Sequence, residues 1–377
     1  SGDLHASALI RALRAEDPEA SFAFMGGDKM EAAAGVAPIV HYREVAFMGI
    51  VSVVKNLGKL TRIGRQIQAA MRDFAPDVVI PVDYADFNFR FILPYAKKEL
   101  RCPVIYYILP KLWAWRAGRI RQLRRYVDLG LSILPFETSY FSDRGLRTAY
   151  IGNPCVDAKL TYLAEHPEAV EREQMLLLVP GSRQSELRDN LPEMLAATAA
   201  YSQLGWRVVI AGAPGLTAAD YAPHLGKYSD TPILFGDTYG LMRRAHAALV
   251  TSGTATLEAG LWGIPMVVCY RMGGRRIARL IFERLFRVPY FSLVNLILDR
   301  PAVPELLADR AHSVQILSIL SRLIPRGGSP PHRPATGTGS ATGADGYGAQ
   351  RPTRRKSYPE LPPRSAISTL LHPLSTL

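Results

Sequence analysis

Three short segments of this 377-residue chain place anion-binding and proton-accepting groups at the ends of apolar runs. The first is SGTATLE, Ser252 to Glu258, which follows the apolar run HAALV and continues into a helix-like stretch ended by Gly263 and Pro265. Small residues at a helix start let backbone N–H groups approach a ligand closely, and the helix dipole favours a phosphate there. Ser252, Gly253 and Thr254 supply that start. Glu258 lies about one turn further in, where a carboxylate can accept hydrogen bonds from sugar hydroxyls. The combination suits a nucleoside diphosphate, although an ordinary Ser/Thr helix cap accounts for the same residues without any ligand.

The second segment, LLLVPGSRQSELRDNL, ends a strand in Pro180-Gly181-Ser182-Arg183 and predicts a helix from near Asp189. Backbone N–H groups of Gly181 and Ser182 and the guanidinium of Arg183 could stabilise a leaving diphosphate without a metal. A solvated turn arginine is the competing reading. In the third, VDYADFN, Asp83 and Asp86 follow the strand-like run DVVIPV. A carboxylate there can act as general base for a sugar hydroxyl; alternatively Asp86 caps a helix starting near Asn88. Nothing here resembles a DxD metal motif, because Asp83 and Asp86 are three apart, so neither a metal nor another cofactor is expected. A weaker segment, YFSLVNL from Tyr290, offers Asn295 as a nucleotide contact.

The elements that must position these groups are read from hydrophobic pattern. Strands are predicted at Ser21 to Met25, Asp77 to Val82, Val104 to Leu109 and Leu129 to Leu134, with helices near 50–73, 88–99 and 113–125. A second series follows in MLLLVP, WRVVIA, PILFG, HAALV and PMVVCY. Unalternating apolar strands that alternate with helices imply parallel sheets covered on both faces. The polar segment Asp157 to Glu173 separates the two series, which places a domain boundary near 155–172. Ligands of such sheets bind beyond the carboxyl ends of the strands.

Composition narrows the function classes. The chain is 48% hydrophobic, which is globular, and has no uninterrupted apolar run long enough to span a bilayer. Cys102, Cys155 and Cys269 are widely spaced without metal-ligand pattern, which predicts reduced core residues. No signal-peptide pattern precedes the first helix. The net charge of +12 invites a nucleic-acid reading, but from Pro325 onward the chain turns rich in Pro, Gly, Ser and Thr, which predicts disorder. That tail carries a net +5, leaving +7 on the remainder. With no recognition helix and no base-stacking aromatics, an anionic membrane surface or phosphorylated ligand is the better match, and no nucleic acid is expected as partner.

In order and spacing, SGDLHASALIRAL, FMGIVSVVKNL, PDVVIPVDYADFN, WAWRAGRI, LPFE, GNPCVD, LLVPGSRQSE, SGTATLE, PMVVCYRM and VPYFSLVNL resemble the lipid-A-disaccharide synthase family, inverting glycosyltransferases of the GT-B type. The resemblance runs from residue 1 to about 308. It implies two Rossmann-like α/β domains facing a cleft: an acceptor and lipid domain over 1–155, a UDP-sugar domain over 156–323, and a disordered tail over 324–377. It further implies transfer of 2,3-diacylglucosamine from its UDP derivative to 2,3-diacylglucosamine 1-phosphate, giving a β-1,6-linked disaccharide and UDP. Asp83 falls where the general base is expected and Arg183 where the diphosphate is engaged. Ser252, Gly253, Thr254, Glu258 and Asn295 fall where the family binds UDP.

The family pattern begins with a strand and a Gly-Glu pair ahead of SGD and continues past Leu323 with helices, so the start reads as truncated and the tail as frameshifted, with a lineage-specific disordered tail as the alternative. The nearest alternatives are a peptidoglycan-precursor N-acetylglucosaminyltransferase, a UDP-N-acetylglucosamine 2-epimerase or an inactive remnant. The lipid substrates imply a cytoplasmic, peripheral location on the inner membrane, with room for a homodimer. The expected contact face is Phe47, Ile50, Val51, Val54, Leu57 and Leu60, flanked by Lys55, Lys59, Arg62 and Arg65, with RRIARLIFERLFR as a second basic segment.

Overall fold

Alternate side chains of the strand Met175–Val179 enter different cores, and that explains why its sequence MLLLV shows no polar alternation. Leu176 and Leu178 pack with Leu187, Leu191 and Tyr201 on one face, whereas Met175 and Leu177 pack with Leu241, Met242 and Ala259 on the other. A strand buried on both faces gains about 1.5–3 kcal/mol per large apolar side chain. Such strands build the sheet described next, in a computed structural model that describes residues 2–44, 57–271 and 289–324.

In chain order the first part comprises α1 (Gly2–Glu16), β1 (Met25–Gly26), α2 (Asp28–Ala34), β2 (Val40–His41) and α3 (Leu57–Phe74). There follow α4 (Ala85–Phe87), a π-helical turn at Asn88–Ile92, α5 (Leu93–Lys98), β3 (Ile105–Tyr107), α6 (Ile120–Tyr126), β4 (Leu129–Ser132), α7 (Pro135–Ser142) and β5 (Thr148–Tyr150). The second part begins with α8 (Pro154–Glu165) and continues through β6 (Met175–Val179), α9 (Gln184–Gln203), β7 (Arg207–Gly212), α10 (Ala218–Leu225), β8 (Ile233–Phe235) and α11 (Thr238–Arg244). It is completed by β9 (Ala247–Thr251), α12 (Thr254–Leu261), β10 (Met266–Tyr270), α13 (Leu293–Leu298), β11 (Glu305–Leu307) and α14 (Ser313–Leu323).

The second part is one parallel sheet in the order β11-β10-β9-β6-β7-β8. From β6 the chain winds outward through β7 and β8, then returns to β9 on the other side of β6 and winds away through β10 and β11. The topological switch therefore lies between β6 and β9. The first part has a parallel β3-β4-β5 sheet and a separate β1-β2 pair.

Two expected strands of the first part are much shorter than predicted. Of Ser21–Met25 only Met25 enters a strand, and Asp77–Val82 makes isolated bridges, Val79 to Val104 and Val82 to Tyr107. Pro76 and Pro81 carry no N–H to donate to a ladder, so the segment meets β3 mainly through its carbonyls and the Val79 N–H. The segment expected to separate the two halves is largely helix α8. Asn153 caps it by accepting from the Cys155 N–H at 3.0 Å, with Pro154 at its first position. Lys159 Nζ then donates to Leu261 O at 2.7 Å, tying α8 to the end of α12.

Of the predicted membrane face, Phe47, Ile50, Val51, Val54 and Lys55 lie outside the described residues, as do the Leu57 side chain and the whole of RRIARLIFERLFR and the C-terminal tail. Within α3 the expectation is corrected: Leu60, with Ile63 and Ile67, is buried in a core with Val40 and Phe87, while Arg62 and Arg65 are exposed. Among the described residues no helix is long and apolar enough to cross a membrane.

Candidate functional site

Both phosphate-loop candidates leave the two strands that flank the topological switch. The pairing of Val179 with Val250 puts Pro180 beside Thr251, so the PGSR and TSGT turns emerge side by side at the carboxyl edge of the sheet. Each turn leads directly into a helix. Arg183 is the N-cap of α9, which starts at Gln184, five residues before the Asp189 start predicted above. Gly253 is the N-cap of α12. Two helix N-termini thus converge at the crevice where open parallel sheets take their ligands.

In the first turn Gly181 has φ +118°, a conformation that favours glycine, and a methyl group there would run into the Glu186 carboxylate. Glu186 accepts from the Ser182 N–H at 2.8 Å and from Arg183 Nη1 at 2.8 Å. Arg183 remains largely exposed. Glu186 was not read from the sequence, although an acid three residues after a cap is a recognisable helix-start signal.

In the second turn Ser252 Oγ donates to Phe291 O at 2.8 Å. Thr256 Oγ1 donates to Gly253 O at 2.8 Å and accepts from the Leu293 N–H at 3.3 Å. Gly253 and Thr254 are exposed at the helix start. Glu258 lies one turn in and accepts from the Tyr239 hydroxyl at 2.9 Å; burial pushes its carboxyl above the usual range. Beside these turns, the carboxyl ends of β7 and β8 border a cavity of about 440 Å³ lined by the Gly212–Ala218 loop with Phe235 and Gly236.

Asn295 requires a correction. It is 1% exposed and its amide is fully engaged inside the protein, with Nδ2 donating to Val303 O and Glu305 Oε1, both at 2.8 Å, and Oδ1 accepting from the Val303 N–H at 2.9 Å. Glu305 also accepts from the N–H groups of Phe291 and Ser292. Asn295 therefore anchors the Phe291 segment that holds Ser252, and both hydrogens of its amide are used inside the protein.

Asp83 sits where the Val79–Val82 segment turns into α4. Asp83 and Tyr84 have φ +49° and +41°, left-handed conformations that cost a non-glycine residue roughly 1 kcal/mol or more each. The turn is held by its own carbonyl: Asp83 O accepts from Asn88 Nδ2 at 2.6 Å and from the Tyr106 hydroxyl at 3.2 Å. The Asp83 side chain is exposed, close to the start of α1. There burial lowers the His5 pKa and the Asp83 charge opposes that shift. Asp86 is not a helix cap, because α4 starts at Ala85; its carboxylate instead receives Arg116 and Arg119.

The loops leaving β3 and β4 pack against helices α8, α12 and α13. Trp113, Leu134 and Phe136 share a core with Cys155 and with Leu257 and Leu261 of α12 and Leu293 of α13. Inside this joint the buried Glu137 accepts from Trp113 Nε1 at 3.0 Å and from the Leu134 N–H at 3.2 Å, and burial raises its pKa. Among the described residues no group of three His, Cys, Asp or Glu side chains could hold a metal ion.

Comparison with known proteins adds a family and a fold. The family model described as lipid-A-disaccharide synthetase matches residues 1–326. The lipid-A-disaccharide synthase of Myxococcus xanthus is 38% identical over 315 residues, covering 81% of each chain. That of Acidobacterium capsulatum is 34% identical over 345 residues, covering 86% of this chain and 84% of the relative. Among solved structures, the UDP-N-acetylglucosamine 2-epimerase of Rickettsia bellii superposes with a TM-score of 0.52 at 12% identity, covering 86% of this chain and 85% of that one. The UDP-GlcNAc 2-epimerase of Neisseria meningitidis, solved with UDP-GlcNAc bound, gives 0.50 at 13% identity, with 85% and 87% covered. At such identities the likeness is one of fold, and that fold is the GT-B type.

Proposed function

As a member of the lipid-A-disaccharide synthetase family, the chain transfers 2,3-diacylglucosamine from its UDP derivative to 2,3-diacylglucosamine 1-phosphate, and we propose that Asp83 is its base and the paired turns at the switch point are its diphosphate cradle. In this reading the Asp83 carboxylate takes the proton of the acceptor 6-hydroxyl as that oxygen attacks the anomeric carbon. The bond from that carbon to the diphosphate oxygen breaks, and UDP leaves with the electron pair. Its developing charge meets Arg183, the Gly181 N–H and the N-terminus of α12 at Ser252, Gly253 and Thr254, while the Ser182 N–H stays on Glu186 and fixes the turn. Glu258 accepts from donor hydroxyls, and the cavity beside β7 and β8 takes the uracil ring. Asn295 acts through Ser252. The acyl chains of both substrates imply work at the cytoplasmic surface of the inner membrane, with Phe47, Ile50, Val51, Val54 and Leu57 as the contact residues that remain once Leu60 is assigned to the core.

The observation that supports this most is the adjacency of the two helix-leading turns on β6 and β9. The test is a steady-state series on the full chain. Asp83→Asn should lower kcat by about 10²–10⁴ with UDP binding nearly retained, and Arg183→Ala should weaken both. An Asp83→Asn enzyme altered only in KM would refute the base assignment.

A further inference from the structure

The turn after β3 carries two arginines held on a single carboxylate. Arg116 Nη1 donates to Asp86 Oδ1 at 2.7 Å, and Arg119 Nη2 donates to the same oxygen. Each guanidinium also lies over an aromatic ring, Arg116 at 4.1 Å from the Trp115 centroid and Arg119 at 4.9 Å from that of Phe89. Stacking fixes the guanidinium planes and leaves their N–H edges for in-plane acceptors. Two positive groups share one negative group, so the cluster keeps a net positive charge. It is also accessible, with 42% of the Arg116 side chain and 64% of the Asp86 side chain exposed.

This cluster lies beside the proposed base. The Tyr106 hydroxyl donates to Asp83 O, Arg119 lies over Phe89 in the turn that follows Asp83, and its other contact, Asp86, is three residues from Asp83. Asp83 and Asp86 are joined by the left-handed turn at Asp83 and Tyr84 that leads into α4. The acceptor sugar carries its phosphate monoester on C1 and its reactive hydroxyl on C6, which is attached to C5, so the two groups branch from the carbons that flank the ring oxygen. A monoester carries about −1.5 to −2 charges near pH 7 and offers three acceptor oxygens, which two arginines can bind in forked geometry.

We infer that Arg116 and Arg119 bind the 1-phosphate of the acceptor, and that Asp86 is the counter-ion that keeps both guanidiniums aligned when no phosphate is present. The inference rests on the reading of Asp83 as the base. It makes the arginine pair the device that selects a phosphorylated acceptor and orients its reactive hydroxyl toward Asp83.

The experiment uses the full chain in neutral detergent micelles, with two acceptors: diacylglucosamine 1-phosphate and the corresponding neutral methyl glycoside. Arg116→Gln and Arg119→Gln should each raise KM for the phosphorylated acceptor about tenfold or more, leave the donor KM within twofold, and leave the neutral acceptor unaffected. The parent's preference for phosphate should shrink accordingly. Equal losses on both acceptors would overturn the assignment in favour of a loop-stabilising role, and UDP-dependent melting of each variant separates that outcome from misfolding. An effect seen only on vesicles of anionic lipid would overturn it in favour of a membrane head-group site. Asp83→Asn, run in parallel, should lower kcat on both acceptors. If it does not, while the arginine variants still discriminate, the base assignment falls and the phosphate site stands.

Discussion

Replacing Asn295 by leucine separates a nucleotide contact from an anchor. Leucine has the same branched outline but bulkier methyl ends, so the change leaves no cavity and adds some overpacking, and it strips hydrogen-bond partners from the N–H and C=O of Val303 and one from Glu305. Glu305 keeps its two backbone donors, Phe291 and Ser292. The cost therefore falls on the two Val303 groups, at about 1–3 kcal/mol for each buried group left unpaired. Val303 is only half-buried, so water recovers part of this and the total should be about 2–4 kcal/mol. At about 2–4 °C per kcal/mol, the melting temperature should drop by roughly 5–15 °C. Calorimetry with and without UDP measures both quantities. UDP affinity should weaken modestly, because the Phe291 carbonyl that holds Ser252 is loosened. An unchanged melting temperature combined with a more than tenfold loss of UDP affinity would show that the amide meets the nucleotide directly and that the argument is wrong.

Two further outcomes are expected. Transfer by the full chain should survive EDTA if, as proposed, Arg183 and backbone N–H groups neutralise the diphosphate; activity abolished by chelation and restored by magnesium would contradict this. Burial holds the Glu137 pKa above the about 4.3 of a free glutamate, so its stabilising contribution is complete below that value and is lost as pH rises through the higher folded value. Glu137→Gln should therefore gain stability relative to the parent between pH 4 and 7.5, and urea midpoints that differ by a constant amount across that range would refute the burial argument.

The two halves differ in how far their sequences could be read. In the second, MLLLV, AALVT and MVVCY are buried on both faces, so their apolar runs stand out and five strands are found close to where they are predicted. The exception there, β11, has three residues and begins with Glu305, whose carboxylate serves the Asn295 network. In the first half the strands are two to four residues long, and prolines replace ladder donors, so periodicity has little to act on. The turn residues of the candidate site could be read because Gly181 and Gly253 meet local backbone demands. The placements of Asn295 and Asp86 could not, because their partners are defined only after folding: Val303 is eight residues away across a helix end, and Arg116 is thirty.

All three thiols are buried: Cys102 in the loop before β3, where it donates to Pro76 O, Cys155 in the joint and Cys269 within the second sheet. Burial pushes Cys102 upward and Cys155 and Cys269 up to about 12. Alkylating reagents attack the thiolate, so at neutral pH the folded chain presents almost nothing for them to modify. Each cysteine becomes labelled only at the rate at which its own surroundings open. The native chain thus contains three internal clocks, and mass-resolved alkylation can time the opening of the edge before β3, the joint and the second sheet separately, without a single substitution.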